Sequence, residues 1–175
     1  MAYKVESDFE YNGYRCVVVF QRGGHRCGYV GIPNTHPFYG VDYSDKVDVL
    51  KFEKIKDQEI GKRGIIPVMC MAFDEDDQEG LRPDCYFNVH GGITYSGKGS
   101  YPVESGLWWF GFDCAHAGDR KDYKQSLEYG LDTPEHVQYN INLENDYFIE
   151  DEVIRTKEYV EQECKNLVDQ LKEFA

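Results

Sequence analysis

Asp113, His116 and Asp119 stand close together just after the aromatic run Trp108-Trp109-Phe110-Gly111-Phe112. Two carboxylates and an imidazole are ligands for a divalent metal, and a bound metal activates water. His90, at the close of another apolar segment, is a fourth candidate ligand. These four residues are the candidate catalytic set if the chain is an enzyme. Their spacing matches none of the usual zinc or hydrolase signatures, such as His-Glu-x-x-His. Asp113 can equally cap a turn or orient His116, and no metal or other cofactor is required by the pattern. A Cys114–His116 nucleophilic pair shares one face of an extended segment, yet no oxyanion donor or orienting third group accompanies it.

A second chemistry is capture of an anion. Of the five histidines, His25, His36, His90 and His116 lie in or beside glycine-rich segments, and imidazole donates readily to an anionic oxygen near neutral pH. Arg22, Arg26 and Lys98 supply cations nearby in sequence. In His90-Gly91-Gly92 no β-carbon blocks approach of the backbone to a ligand. The run Ser96-Gly97-Lys98-Gly99-Ser100 offers successive amides for an anion nest, although it departs from a P-loop because Gly99 follows Lys98. Trp108 and Trp109 point to opposite sides of a strand. One belongs to a core, and the other, with Tyr29, Tyr39 and Tyr95, can form a stacking wall for a base. Each feature has a plainer reading: a histidine satisfying loop backbone, a glycine-rich turn, an indole in the core.

The distribution of charge favours a small ligand over a polymer. The 175-residue chain carries a net charge of −13, which disfavours non-specific binding to nucleic-acid backbones. Residues 11 to 41 nevertheless hold Arg15, Arg22 and Arg26 without a carboxylate, and residues 85 to 112 hold Lys98 against the single acid Glu104. These are neutral to basic islands in an acidic protein. The six cysteines include no Cys-x-x-Cys pair and several sit in apolar runs, as reduced thiols do. Met1-Ala2-Tyr3-Lys4 leads straight into polar sequence rather than an export signal. No apolar run approaches the ~20 residues of a membrane span. A cytoplasmic protein with no membrane partner is expected, and a homo-oligomer is left open.

Apolar strands at Tyr14 to Phe20 and Cys27 to Ile32 look like a hairpin joined by a loop longer than a tight turn. Further strands are expected at Ile65 to Phe73, Cys85 to Val89 and Leu107 to Phe112, the last apolar on both faces and therefore central. Tyr43 to Ile60 reads as a short helix or a strand between loops, and Asp74 to Pro83 as an acidic connection. Gly118 to Asn145 is polar, with a helical turn around Tyr123 to Tyr129 and the composition of a surface excursion or lid. From Asp151 onward, Val153, Ile154, Val160, Cys164, Leu167, Val168, Leu171 and Phe174 share one face of a helix. The fold class is α+β: residues 1–175 form a single domain with a mostly antiparallel sheet and a long C-terminal amphipathic helix packed on one face.

The segments Gly23-Gly24-His25-Arg26-Cys27-Gly28-Tyr29-Val30-Gly31-Ile32-Pro33, His90-Gly91-Gly92-Ile93-Thr94-Tyr95-Ser96-Gly97 and Trp108 to Asp119 resemble a small protein family encoded in bacteriophages and prophages. His36-Pro37-x-Tyr39-Gly40 and Glu158-Tyr159-Val160-x-x-Glu163-Cys164 carry the resemblance further. It implies a phage setting in the host bacterial cytosol, where small accessory proteins counter host defence by sequestering or cleaving nucleotide immune signals. Three readings follow. The first is a binder of a small anionic, nucleotide-derived ligand that uses Arg22, His25, Arg26, Tyr29, His36, His90, Tyr95, Lys98, Trp108, Trp109 and His116. The second is a metal- or histidine-dependent hydrolase of such a ligand, centred on His90, Asp113, His116 and Asp119. The third is an acidic inhibitor of a host nucleic-acid-binding factor.

Overall fold

Asn12-Gly13 makes the first reversal of the chain. Both residues have positive φ, 50° and 85°, as a two-residue type I′ hairpin turn requires. The turn joins β1 (Tyr3–Tyr11) to β2 (Tyr14–Gln21), with Tyr11 paired to Tyr14 across it. The computed structural model describes residues 3–51, 80–145 and 152–175. β1 escapes the sequence reading because Tyr-Lys-Val-Glu-Ser-Asp-Phe-Glu-Tyr is charged and only half buried, the composition of an edge strand protected from further pairing.

β2 reverses through Arg22–His25, with the Gln21 N–H donating to the His25 carbonyl at 2.8 Å, into β3 (Arg26–Ile32). The chain then supplies α1 (Pro83–Tyr86), β4 (Tyr95–Lys98), β5 (Trp108–Asp113), α2 (Tyr123–Glu128), α3 (Pro134–Asn145) and α4 (Lys157–Lys172). The five strands form one antiparallel sheet in the order β1-β2-β3-β5-β4. β3 is its middle strand, flanked by β2 and β5.

Both sheet faces are covered, which is why Val17, Val18, Val19 and Phe20 are all fully buried. On one face Cys16, Val18, Val30, Phe110 and Phe112 meet Val160, Cys164, Leu167, Val168 and Leu171 of α4. On the other, Val17, Val19, Cys27, Tyr29 and Trp109 lie under Tyr3, Tyr95, Tyr101, Val103 and Leu107. The result is a single α+β domain with its C-terminal helix against the sheet, as the periodicity indicates. Among the described residues no helix is long and apolar enough to cross a membrane.

Several boundaries differ from expectation. Cys85 and Tyr86 are helical rather than extended, because Pro83 occupies the first turn of α1, where its fixed φ and missing N–H fit. The stretch Ser96-Gly97-Lys98 belongs to β4, so its backbone serves the ladder with β5 and not an anion nest. α3 arises within the polar segment: Thr133 accepts the His136 N–H at 3.3 Å and Pro134 opens the helix. α4 begins at Lys157, later than the apolar pattern suggests, because Thr156 caps it by accepting the Tyr159 N–H. Val153 and Ile154 precede that cap and are exposed. Ile65 to Phe73, with Cys70, lies outside the described residues, as do much of 43–60 and the start of the acidic connection. Cys16, Cys27, Cys114 and Cys164 are buried thiols outside any disulfide, and burial pushes Cys16 and Cys27 up to about 12.

Candidate functional site

The end of β5 gathers three segments. Asp113 closes the strand and turns the chain by accepting the Ala115 N–H at 3.1 Å, while its other oxygen accepts the Thr94 hydroxyl at 2.9 Å. Three residues after Asp113, the His116 N–H donates to Asp119 Oδ2 at 3.0 Å and the Asp119 N–H returns to the His116 carbonyl at 2.9 Å. Residues beside Asp119 pair with Val153, whose N–H and carbonyl bond Gly118 and Arg120. That short pairing carries Arg155 to Asp119, with Nε 2.7 Å from Oδ1. The Thr156 cap then sets Tyr159 in the first turn of α4.

His90 arrives from the loop after α1. Its N–H donates to Glu163 Oε2 at 3.0 Å, its Nε2 lies 2.7 Å from Asp119 Oδ2, and its Nδ1 lies 2.9 Å from the Tyr159 hydroxyl. A carboxylate only accepts, so Nε2 carries a proton, and in the neutral imidazole Tyr159 donates to Nδ1. Burial, reinforced by Glu163, pushes the Tyr159 hydroxyl up to about 12, so it keeps the proton this requires. Gly91 has a φ of 67°, and a β-carbon there would collide with the His116 ring. Glycine at 91 thus serves to seat His116 rather than to expose amides.

Asp119 is the hub. Its side chain is 2 % exposed. Burial pushes its carboxyl upward, but hydrogen bonds from His90, Arg155 and the His116 N–H outweigh that and hold it down at about 2. His116 is the accessible member, with its side chain 35 % exposed. Its Nδ1, however, is buried and lacks a hydrogen-bond partner, standing 3.7 Å from Asp113 Oδ1 and 3.8 Å from Asp119 Oδ2. One ligand atom from each of His90, His116 and Asp119 falls within 4.8 Å of the others. Cys114 is 3 % exposed and burial raises its thiol far above the ordinary range, so it is no ready thiolate for His116 to activate.

His25 lies near this cluster, and the other expected site residues go elsewhere. His25, at the start of β3, feels the fields of Asp113 and His116, although burial dominates and lowers its imidazole pKa. Arg26 is 6 % exposed and enclosed by Glu6 at 2.7 Å and Asp122 at 3.2 Å. It is a core ion pair with no freedom to reach a phosphate. Arg22 leans on Asp132 at 3.3 Å. Tyr29 and Trp109 are buried under the second face, where Tyr95 packs edge-on to Tyr29 at 5.5 Å. Trp109 donates its indole N–H to Ser105, and Trp108, half-buried on the opposite face, donates to the Val41 carbonyl. Lys98 stands over Tyr39 at 5.5 Å, at the Trp108 end of β5 and so about 17 Å from Asp113 along the strand. The three glycine-rich segments thus meet at the Asp113 end of β5 through His25, His90 and His116, while Lys98 and Trp108 lie at its other end.

Arg155 and Tyr159 complete the cluster and were not singled out by sequence as site residues. Nothing in their spacing marks them; only the Thr156 cap and the pairing at Val153 deliver them.

His36 is a core residue. Nε2 meets the Leu171 carbonyl at 3.1 Å and Nδ1 accepts the Phe38 N–H, and burial lowers its pKa from the ordinary 6.5. Such a group binds a proton more weakly folded than unfolded, so its contribution is complete above 6.5 and declines as pH falls below it. Asp132 works in the opposite range. Burial raises it, but hydrogen bonds from Ser126, Gly23, His136 and Arg22 hold it at about 2, against 3.8 ordinarily. Its contribution is lost as pH falls from 3.8 toward 2. Urea midpoints measured between pH 8 and 2.5 should drop first below 6.5 and again below 4. His36→Gln should shrink the first drop, the remainder belonging to His25; an unchanged drop would refute this assignment.

Together the fold and the cluster define an α+β protein with a histidine–aspartate centre at one end of an antiparallel sheet. No family model, curated protein or solved structure matches the chain.

Proposed function

We propose that this chain is a hydrolase of a small phosphate ester, centred on His116, Asp119 and His90 with Asp113 at the rim. The observation that carries this reading is the His116 imidazole: solvent-accessible, yet with its Nδ1 buried, unpartnered and facing two carboxylates. A merely structural histidine would use that nitrogen for a hydrogen bond, as His36 does with both of its own. In hydrolysis a water attacks phosphorus as its proton passes to His116, and the leaving alcohol takes up that proton as its bond to phosphorus breaks; an ion held there would supply a more acidic water. His90, Asp119, Arg155 and Tyr159 fix the geometry. The resemblance to phage-encoded proteins supports a nucleotide-derived ester as the substrate. Simple capture of an anion is less well supported, because Arg22 and Arg26 are paired with carboxylates.

The test is ³¹P NMR of nucleoside phosphodiesters and cyclic dinucleotides incubated with the protein. Wild type should convert at least one of them to a monoester. His116→Ala should lose ~10²-fold or more of the rate with a melting temperature within a degree or two, since a surface-loop change costs about 0.5 kcal/mol or less. A substrate bound tightly but recovered intact would replace hydrolysis with sequestration. Equal rates in wild type and variant would remove His116 from the chemistry.

A further inference from the structure

We infer that His90, His116 and Asp119 form a binding site for one divalent transition-metal ion of the zinc class. Inorganic ion binding by these side chains stands independently of turnover; only the ion's role as activator of the hydrolytic water rests on the reading above.

The starting point is a gap that hydrogen bonding does not fill. With its proton on Nε2, His116 Nδ1 offers a lone pair, as do Asp113 Oδ1 and Asp119 Oδ2, and the separations of 3.7 and 3.8 Å are too long for an N–H···O bond. They are close to what a shared cation imposes. Two ligand atoms about 2.0–2.2 Å from one zinc ion in tetrahedral array stand roughly 3.4 Å apart. The His116–Asp119 pair reaches that spacing by closing a few tenths of an ångström, and the His90–Asp119 pair, hydrogen-bonded at 2.7 Å, by opening less than an ångström. The three residues also supply two imidazoles and one carboxylate, a donor set suited to zinc and related ions rather than to calcium or magnesium, which take oxygen.

The proton bookkeeping at His90 closes. Without an ion, Nε2–H donates to Asp119 and Nδ1 accepts from Tyr159. For Nε2 to ligate, the proton moves to Nδ1 and is donated to the Tyr159 oxygen, whose own hydrogen rotates away. No net proton is released, and the same tyrosine serves both tautomers. Arg155 keeps Asp119 Oδ1, and Oδ2, while still accepting the His116 N–H, has a lone pair for the ion once His90 no longer occupies it. Such supporting bonds are what orients metal ligands in general. With three protein ligands, the fourth position of a tetrahedron is left for a water, the arrangement of a hydrolytic site.

The experiment uses the full chain, stripped with a chelator and titrated with Co²⁺ and then with Zn²⁺. Cobalt bound by two imidazoles and a carboxylate should give visible d–d absorption saturating at one equivalent, and one equivalent of Zn²⁺ should abolish it. His116→Ala should weaken cobalt binding at least tenfold while keeping the wild-type circular dichroism spectrum. Asp119→Ala should do the same or more, and if it fails to fold, His116→Ala decides alone. His136→Ala, altering a histidine bonded to Asp132 on α3, should bind as wild type does. Absence of saturable absorption, or equal affinity in wild type and His116→Ala, overturns the site. One equivalent of cobalt with no turnover of any phosphodiester would leave the metal site standing and sink the hydrolase reading. Full turnover by the stripped protein would leave the hydrolase reading standing and sink the ion's role as activator of the water.

Discussion

Replacing Arg26 with Met should destabilise the protein by about 3–5 kcal/mol, the range found when one partner of a buried ion pair is removed. The guanidinium is surrounded: two nitrogens meet both oxygens of Glu6 at 2.7 and 3.0 Å, and the third also reaches Asp122 and the Arg155 carbonyl. The Phe20 ring lies beneath it at 4.8 Å. Methionine would fill much of the volume, so the loss would come from charge. The Glu6 side chain is 2 % exposed and would keep only the Tyr129 hydroxyl at 2.9 Å. Urea denaturation reads the effect directly. The double variant Arg26→Met/Glu6→Gln should recover a large part of it, since the stranded carboxylate is then neutral. If Arg26→Met costs under 0.5 kcal/mol, as an ordinary surface change does, the pair is not the buried tie described above.

Arg26 also shows where sequence reasoning stops. Residues 11 to 41 lack a carboxylate, so the arginine reads as a free cation in a basic island. Its partners come from β1 and from the cap of α2, Glu6 and Asp122, which lie far off in sequence. Charge balance is settled across the sheet and not along the chain. The elements were more legible than their partners. β2, β3, β5 and the apolar face of α4 announce themselves by unbroken apolar runs or by helical spacing. The strand β1 was signalled only by Asn12-Gly13, and α3 only by Thr133-Pro134, two short local cues inside polar sequence. For the site, His90, Asp113, His116 and Asp119 were legible because each sits where an apolar strand-like run gives way to a loop. Arg155 and Tyr159 were not, because their positions depend on where α4 begins, and apolar periodicity carried that start back to Asp151 instead of Thr156.

Asp119 is where the two readings of the cluster, chemical and structural, can be separated. Asp119→Asn keeps the shape but replaces one acceptor oxygen with a donor. Turned either way, its NH₂ faces an existing donor: the Arg155 Nε–H on one side, or the His90 Nε2–H and His116 N–H on the other. One set of donors is left without an acceptor, and Arg155, 28 % exposed, loses its counter-charge. The expected loss is about 1–3 kcal/mol of stability and ~10²–10⁴-fold in rate on any phosphodiester the wild type cleaves. The stability loss alone would fit a residue that only holds loops together. Asp119→Asn/Arg155→Gln distinguishes them, because the neutral glutamine removes the stranded charge and can pair with the asparagine amide. Stability should then return toward wild type while the rate stays low, since the carboxylate that His90 and His116 share is gone. Recovery of both together would mean that Asp119 supports the fold and takes no part in the reaction.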